Sequence, residues 1–165
     1  MHIGIIGNGF IGKATSILGK SSKDITSICY DIKSELCKPS GTTMDDIVKC
    51  DMIFICVPTP MGFNGKCQVE NVSNIVKNLR QLNFKGYIII RSTVPTGTTK
   101  SLGCYNMPEF ITEKSYDKEF INTPHRIVGI NDNLPDSNSF KDDIQKLLTL
   151  SKKNGDITSD IIEFT

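Results

Sequence analysis

His2-Ile3-Gly4-Ile5-Ile6-Gly7-Asn8-Gly9-Phe10-Ile11-Gly12-Lys13-Ala14 decides the fold: an apolar strand runs into Gly-x-Gly-x-x-Gly and leaves in a helix-forming stretch. Three glycines at this spacing recur by chance, but a preceding strand, a following helix and a distant acid together mark a dinucleotide site. Gly7 allows the tight turn, Gly9 lets the backbone approach a pyrophosphate, and Gly12 brings helix and strand together. Asn8, Phe10 and Ile11 then lie against the phosphates with the helix N-terminal N–H groups. The acid is Asp31, at the end of Ile25-Thr26-Ser27-Ile28-Cys29-Tyr30 and about 20 residues beyond the glycines, as the fingerprint requires. At the end of a second strand its carboxylate accepts hydrogen bonds from the adenosine ribose and repels a 2′-phosphate, which favours NAD over NADP. Lys33 stands close enough to soften that repulsion. Capping of the next turn is the structural alternative for Asp31.

Composition narrows the rest. The 165 residues are 38% hydrophobic, enough for one sizeable core, and we expect one globular domain over 1–165. Lysine and arginine number 19 against 18 aspartates and glutamates, so no strong field draws nucleic acid or an anionic membrane, and neither is expected as a partner. No apolar run nears the roughly 18 to 20 residues of a membrane span and no cleavable leader opens the chain, so a cytoplasmic protein is expected. The six cysteines, Cys29, Cys37, Cys50, Cys56, Cys67 and Cys104, form no Cys-x-x-Cys pair, and His2 and His125 are the only imidazoles. Reduced thiols and no metal are expected, with Cys29 and Cys56 acting as small core residues.

Apolar periodicity predicts strands at 2–7, 26–31, 52–57, 86–91, near 104–106, 125–130 and 157–163, with helices near 11–20, 43–49, 69–82 and 136–152. This alternation reads as an α/β fold, a Rossmann-like, doubly wound, mostly parallel sheet in a single domain with helices on both faces. Met52-Ile53-Phe54-Ile55-Cys56-Val57 and Tyr87-Ile88-Ile89-Ile90 are apolar throughout, as strands buried on both faces are. Val69, Val72, Ile75, Val76, Leu79 and Leu82 form one helical stripe and read as core.

Ligands of an open parallel sheet bind beyond the carboxyl ends of its strands. Those ends carry Val57-Pro58-Thr59-Pro60, Arg91-Ser92-Thr93-Val94-Pro95 and Asn106-Met107-Pro108-Glu109-Phe110-Ile111-Thr112-Glu113. The prolines stop each strand, and the hydroxyls of Thr59 and Thr93 and the carboxylates of Glu109 and Glu113 are expected in one crevice. A half-buried carboxylate beside a hydroxyl can orient and deprotonate water. Glu109 and Glu113, four residues apart, face one way only if the segment is helical or hooked after Pro108. An exposed surface acid is the alternative for Glu113.

Taken in order, the glycine loop, Asp31, Val57-Pro58-Thr59-Pro60, Ser92-Thr93-Val94-Pro95, Pro108-Glu109-Phe110, Glu113 and Pro124-His125-Arg126-Ile127-Val128-Gly129 resemble the UDP-glucose/GDP-mannose dehydrogenase family. That family oxidises the C6 alcohol of a nucleotide sugar to a carboxylate with two NAD. The resemblance implies an NAD-binding domain with Val57, Pro58, Thr59 and Ser92 near the cofactor, Thr93 and Glu113 near the hydrolytic water, and Glu109 beside the substrate cleft. It also implies a nucleotide-sugar substrate, UDP-glucose foremost with GDP-mannose or a UDP-N-acetylhexosamine behind it, and a homodimer for the full-length enzyme.

The departures are specific. Met107, Thr112 and Lys114 stand where the family segment has Asn, Arg and a small residue. The stretch from Asp31 to Thr59 is much shortened, which leaves the adenine edge more open. Family members continue into a helix with a catalytic Lys and Asn and a second domain with the nucleophilic Cys. This chain ends at Thr165, where that helix would begin, and none of its cysteines matches the nucleophile that forms the thioester. Two other readings stay open: a dehydrogenase of the β-hydroxyacid or 6-phosphogluconate type, against which Val-Pro-Thr-Pro and Pro-Glu-Phe argue, and a non-catalytic NAD-binding module that pairs with a separate chain.

We predict that the 165-residue chain binds NAD more tightly than NADP. Asp31→Ala should weaken NAD and narrow the gap, since a hydrogen bond to a charged group is worth on the order of 1.5 to 3 kcal/mol. Calorimetric titration with both cofactors checks this; equal affinities in the unsubstituted chain would remove Asp31 from the ribose.

Overall fold

Strand β1 (His2–Ile6) has β2 (Thr26–Tyr30) on one side and β3 (Met52–Ile55) on the other, and β4 (Tyr87–Ile90) and β5 (Tyr105–Asn106) extend the sheet past β3. The computed structural model describes residues 1–63, 65–159 and 161–165. Among them the sheet has five strands in the order β2-β1-β3-β4-β5, and each adjacent pair is parallel. Side chains of successive strand residues point to opposite faces, and both faces are buried. On one face Ile3, Ile5, Met52, Phe54, Ile89 and Tyr105 pack with α1 (Phe10–Ser16), α5 (Tyr116–Asn122) and α6 (Ser137–Lys153). On the other, Ile6, Ile53, Ile55, Ile88 and Ile90 pack with α2 (Met44–Ile47) and α3 (Glu70–Gln81). Continuous apolar strands are what a sheet covered twice requires. The doubly wound parallel fold expected from the alternation is therefore present.

Helix α6 docks through Phe140, Ile144, Leu147 and Leu148, all at most 2% exposed, at the spacing of one helical face. Its anchor is aromatic. The Phe140 ring stacks on Tyr105 with centroids 3.6 Å apart, and Tyr87 meets both. The two phenols reach carboxylates on or beside α6, Tyr87 donating to Asp143 at 3.0 Å and Tyr105 to Asp136 at 2.5 Å, and burial raises both above the ordinary tyrosine value.

Three expectations need correction. Strands β6 (His125–Val128) and β7 (Ile161–Phe164) pair in parallel with each other rather than joining the main sheet. Their link to it is one antiparallel bridge, Asn106 N–H to Gly129 O at 3.1 Å and Gly129 N–H to Asn106 O at 2.7 Å, because β5 ends after two residues and Pro108 has no N–H to extend a ladder. β7 also starts later than 157, and residue 160 of that predicted strand lies outside the described residues. Of the stripe on α3, Val72, Val76 and Leu79 are buried, but Leu82 is 38% exposed past the helix end and Ile75 is half-buried. Two unexpected helices appear, α4 (Thr98–Leu102) and α5, of five and seven residues, too short to show a period. All six cysteines are free thiols, with Cys29 and Cys56 in the core. Among the described residues no helix is long and apolar enough to cross a membrane.

Phe140→Ala should destabilise the chain by about 3–5 kcal/mol, the cost of a cavity left by a buried phenyl ring. Denaturant unfolding of the two proteins measures it; a loss under about 1 kcal/mol would mean that the aromatic stack does not hold α6.

Candidate nucleotide and catalytic cleft

The glycine loop is built by close backbone packing. Gly7 has φ +95°, a value that L side chains rarely adopt, and a Cβ there would lie 2.8 Å from the Cys56 carbonyl oxygen. At Gly12 an added Cβ would come within 2.0 Å of the Gly7 carbonyl oxygen. Gly9 differs, since nothing lies within 4 Å of its missing side chain. The protein's own packing does not exclude a side chain at Gly9. Its bare backbone instead faces a cavity of about 770 Å³, which is the space a pyrophosphate approaching this loop needs.

That cavity gathers Gly7, Gly9, Phe10, Ile11, Asp31, Lys33, Val57, Pro58, Thr59, Ser92, Thr93 and Glu109 in one wall-to-wall cleft. Asn8, Gly12 and Glu113 do not line it. Asn8 is 7% exposed and lies under the loop: its backbone N–H donates to Asp31 Oδ2 at 2.7 Å and its amide to Leu36 O at 2.5 Å. Asp31 also accepts the Lys33 N–H at 2.9 Å. Its carboxylate therefore fixes the loop and the turn, yet each oxygen keeps a lone pair for a ribose hydroxyl. Glu113 begins an exposed 3₁₀ turn, Glu113–Ser115, and residues 107–112 before it form no helix. The two acids do not share a face.

The ends of β3 and β4 are stitched together. Ser92 Oγ donates to Val57 O at 2.7 Å and Thr59 Oγ1 to Thr93 O at 2.6 Å, so the two threonines expected near the reacting centre are joined directly. The Cys67 thiol donates to the same two segments, at 3.8 Å to Thr59 O and 3.6 Å to Thr93 O.

Arg91 was not among the expected site residues. It closes β4 with a wholly buried side chain that forms an ion pair through Nη2 with Glu109 Oε2, itself buried. Glu109 Oε1 accepts the Phe110 N–H at 3.1 Å. Among the described residues Arg91 Nε and Nη1 find no hydrogen-bond partner. A second buried guanidinium, Arg126, donates to Ser159 Oγ at 2.7 Å and to Phe120 O, and lies 4.1 Å from the Phe120 ring centroid, with Arg91 5.5 Å from the same ring. Burial lowers Arg91 to about 10 and, helped by the charge of Arg91, Arg126 to about 9. Both stay charged at neutral pH, and Arg91 holds the Glu109 side chain in the cleft wall. The signal was legible as a lone charge after Ile88-Ile89-Ile90, where a buried strand end needs a partner for it.

The family profile described as UDP-glucose/GDP-mannose dehydrogenase family, NAD binding domain, matches residues 38–142. The chain belongs to that family. Members related to it include UDP-glucose 6-dehydrogenases of Rickettsia typhi, 24% identical over 79% of this chain and 39% of the relative, and Campylobacter jejuni, 26% identical over 78% and 41%. This member of the family thus spans about two-fifths of the length of the curated relatives it matches. Its fold is shared with a GDP-mannose dehydrogenase of Pseudomonas aeruginosa, with TM-score 0.77 at 19% identity over 100% of this chain and 46% of that one. A UDP-D-ManNAc dehydrogenase of Pyrococcus horikoshii gives 0.75 at 19%, over 100% and 47%. The cofactor of the family domain is NAD, and the open backbone at Gly9, the placed Asp31 and the cleft running to Glu109 fit it. NAD held there would supply a hydride acceptor.

Arg91→Met should destabilise the fold by about 3–5 kcal/mol, because it strands the Glu109 carboxylate in a buried wall. Adding Glu109→Gln should recover most of that loss. Unfolding curves of the single and double variants check the pair, and a double variant as unstable as the single would show that the two groups are not coupled.

Proposed function

We propose that this chain is the dinucleotide-binding part of a cytoplasmic, UDP-glucose 6-dehydrogenase-like enzyme that oxidises the C6 alcohol of a nucleotide sugar. One observation carries this reading: a single cleft joins the ribose acid Asp31 to the buried carboxylate of Glu109 across the glycine loop. Residues 1–165 form the NAD unit, with Gly7 to Gly12, Asp31 and Lys33 on the adenosine and pyrophosphate side and Val57, Pro58, Thr59 and Ser92 beyond. Thr93 and Glu109 face the reacting carbon from this chain. Glu113, on the exposed turn, serves the part of the cleft that the remainder of the enzyme completes. UDP-glucose is the substrate we favour, and the assembled enzyme is a homodimer.

The thiols support the view that this unit does not turn over alone. Burial pushes Cys29 up to about 12 and Cys50, Cys56 and Cys104 up to about 11, far from the thiolate that attacks an aldehyde. Cys37 is buried against Asp31, and the Cys67 thiol is turned onto backbone carbonyls. The chain alone should bind NAD and give no NADH with UDP-glucose, and adding a family C-terminal half should restore turnover. Steady NADH production from residues 1–165 alone that survives replacement of each cysteine would overturn this reading.

A further inference from the structure

Helix α3 presents three unlike faces. Val72, Val76 and Leu79 are buried in the sheet, Lys77 and Arg80 are exposed, and Asn71, Asn74 and Asn78 line the nucleotide cleft together with Ile75. The three asparagines fall at i, i+3 and i+7, the spacing of a single helix face. Asparagine is a poor residue for a helix interior, and three of them on one face weaken α3 with no visible return in packing. A local rule broken in this way points to a functional demand.

The amides are also idle. By contrast Asn122 in α5 and Asn154 at the end of α6 close onto their own backbone, donating to Lys118 O at 2.9 Å and Leu150 O at 2.7 Å. Asn71, Asn74 and Asn78 are exposed, and their side chains make no hydrogen bond among the described residues. No lysine or arginine of α3 faces the cleft, Arg80 being spent on the carbonyls of Leu102 and Gly103. A face of neutral donors and acceptors suits an uncharged heteroaromatic edge rather than a phosphate. The same cleft is also lined by apolar groups, Met44, Leu36 and Ile32, the last 90% exposed beside Asp31. Met44, Tyr30 and Ile75 pack against one core cluster, so α3 and the end of β2 bound the same region.

We propose that Asn71, Asn74 and Asn78 read the adenine base of the cofactor, with the base lying between the apolar wall at Ile32 and the amide face of α3. This rests on the placing of the adenosine half of NAD at Asp31. An asparagine amide offers a donor and an acceptor side by side, the pattern that adenine answers with N7 or N1 and its exocyclic amino group.

Calorimetry of the 165-residue chain with NAD, nicotinamide hypoxanthine dinucleotide and nicotinamide mononucleotide tests it. The unsubstituted chain should bind NAD about tenfold or more tightly than the hypoxanthine analogue, which lacks the amino group. Asn71→Ala/Asn74→Ala/Asn78→Ala should lower NAD affinity to that of the analogue and leave the mononucleotide unchanged. Alanine favours helix, so the variant should melt no lower than its parent. Equal losses for both dinucleotides would assign the asparagines to sugar or phosphate and overturn the proposal, as would no loss at all. Failure of the unsubstituted chain to bind NAD would overturn the cofactor reading itself, a result distinct from normal NAD binding that ignores the three substitutions.

Discussion

A Cβ at Gly12 would stand 2.0 Å from the Gly7 carbonyl oxygen, so α1 rests on the turn after β1 at backbone distance, and the glycine-loop end of the cleft takes its position from that contact. The turn must hold Gly7 at φ +95°, which swings the chain over the end of β3 and opens the ground in front of Gly9. Asp31 reaches back from β2 to take the Asn8 N–H. Two neighbouring parallel strands are thus locked at the level where a dinucleotide crosses the sheet. One methyl group at Gly12 would undo the arrangement without touching any ligand.

At the far end of the cleft, electrostatics replaces backbone packing. Arg91 and Arg126 bring two positive charges to one phenyl ring, and Glu109 is the carboxylate that answers Arg91. Taking such charges from water is costly, and a buried pair gains little net stability over apolar residues of the same size. What it does secure is placement: the segment after β5 cannot drift from β4 without separating opposite charges in a dry environment. The hydroxyl ties from Ser92 and Thr59 act on the same strand ends.

Much of this was readable from residues. The glycine spacing, Asp31 and the apolar strands announced the parallel sheet, because period and burial are local properties of a chain. That the residues at the ends of β3 and β4 line one cleft was legible for the same reason, since strand ends in this fold lie together. The limits were equally physical. Glu113 was expected beside Glu109, but four residues become neighbours only on a helix or in a hooked segment, and residues 107–112 form no helix. Arg91 went unread because its partner is 18 positions away in sequence, where no period connects them. β6 and β7 were assigned to the main sheet since their composition suits any strand, while pairing is settled by how many residues β5 leaves unpaired. Ile75 and the asparagines of α3 were hidden by a stripe that looked like core throughout.

Cys67 gives the molecule a built-in reporter. The other five cysteines are buried, and this one is half-exposed with its thiol turned onto the carbonyls that join the loops after β3 and β4. The half-exposed sulfur sits where those loops meet, so its rate of labelling by an alkylating reagent follows how far that end of the cleft opens, much as amide exchange follows openings of a helix. Occupancy of the cleft becomes measurable as a slowing of a single chemical reaction, in a chain without tryptophan to provide a fluorescent signal.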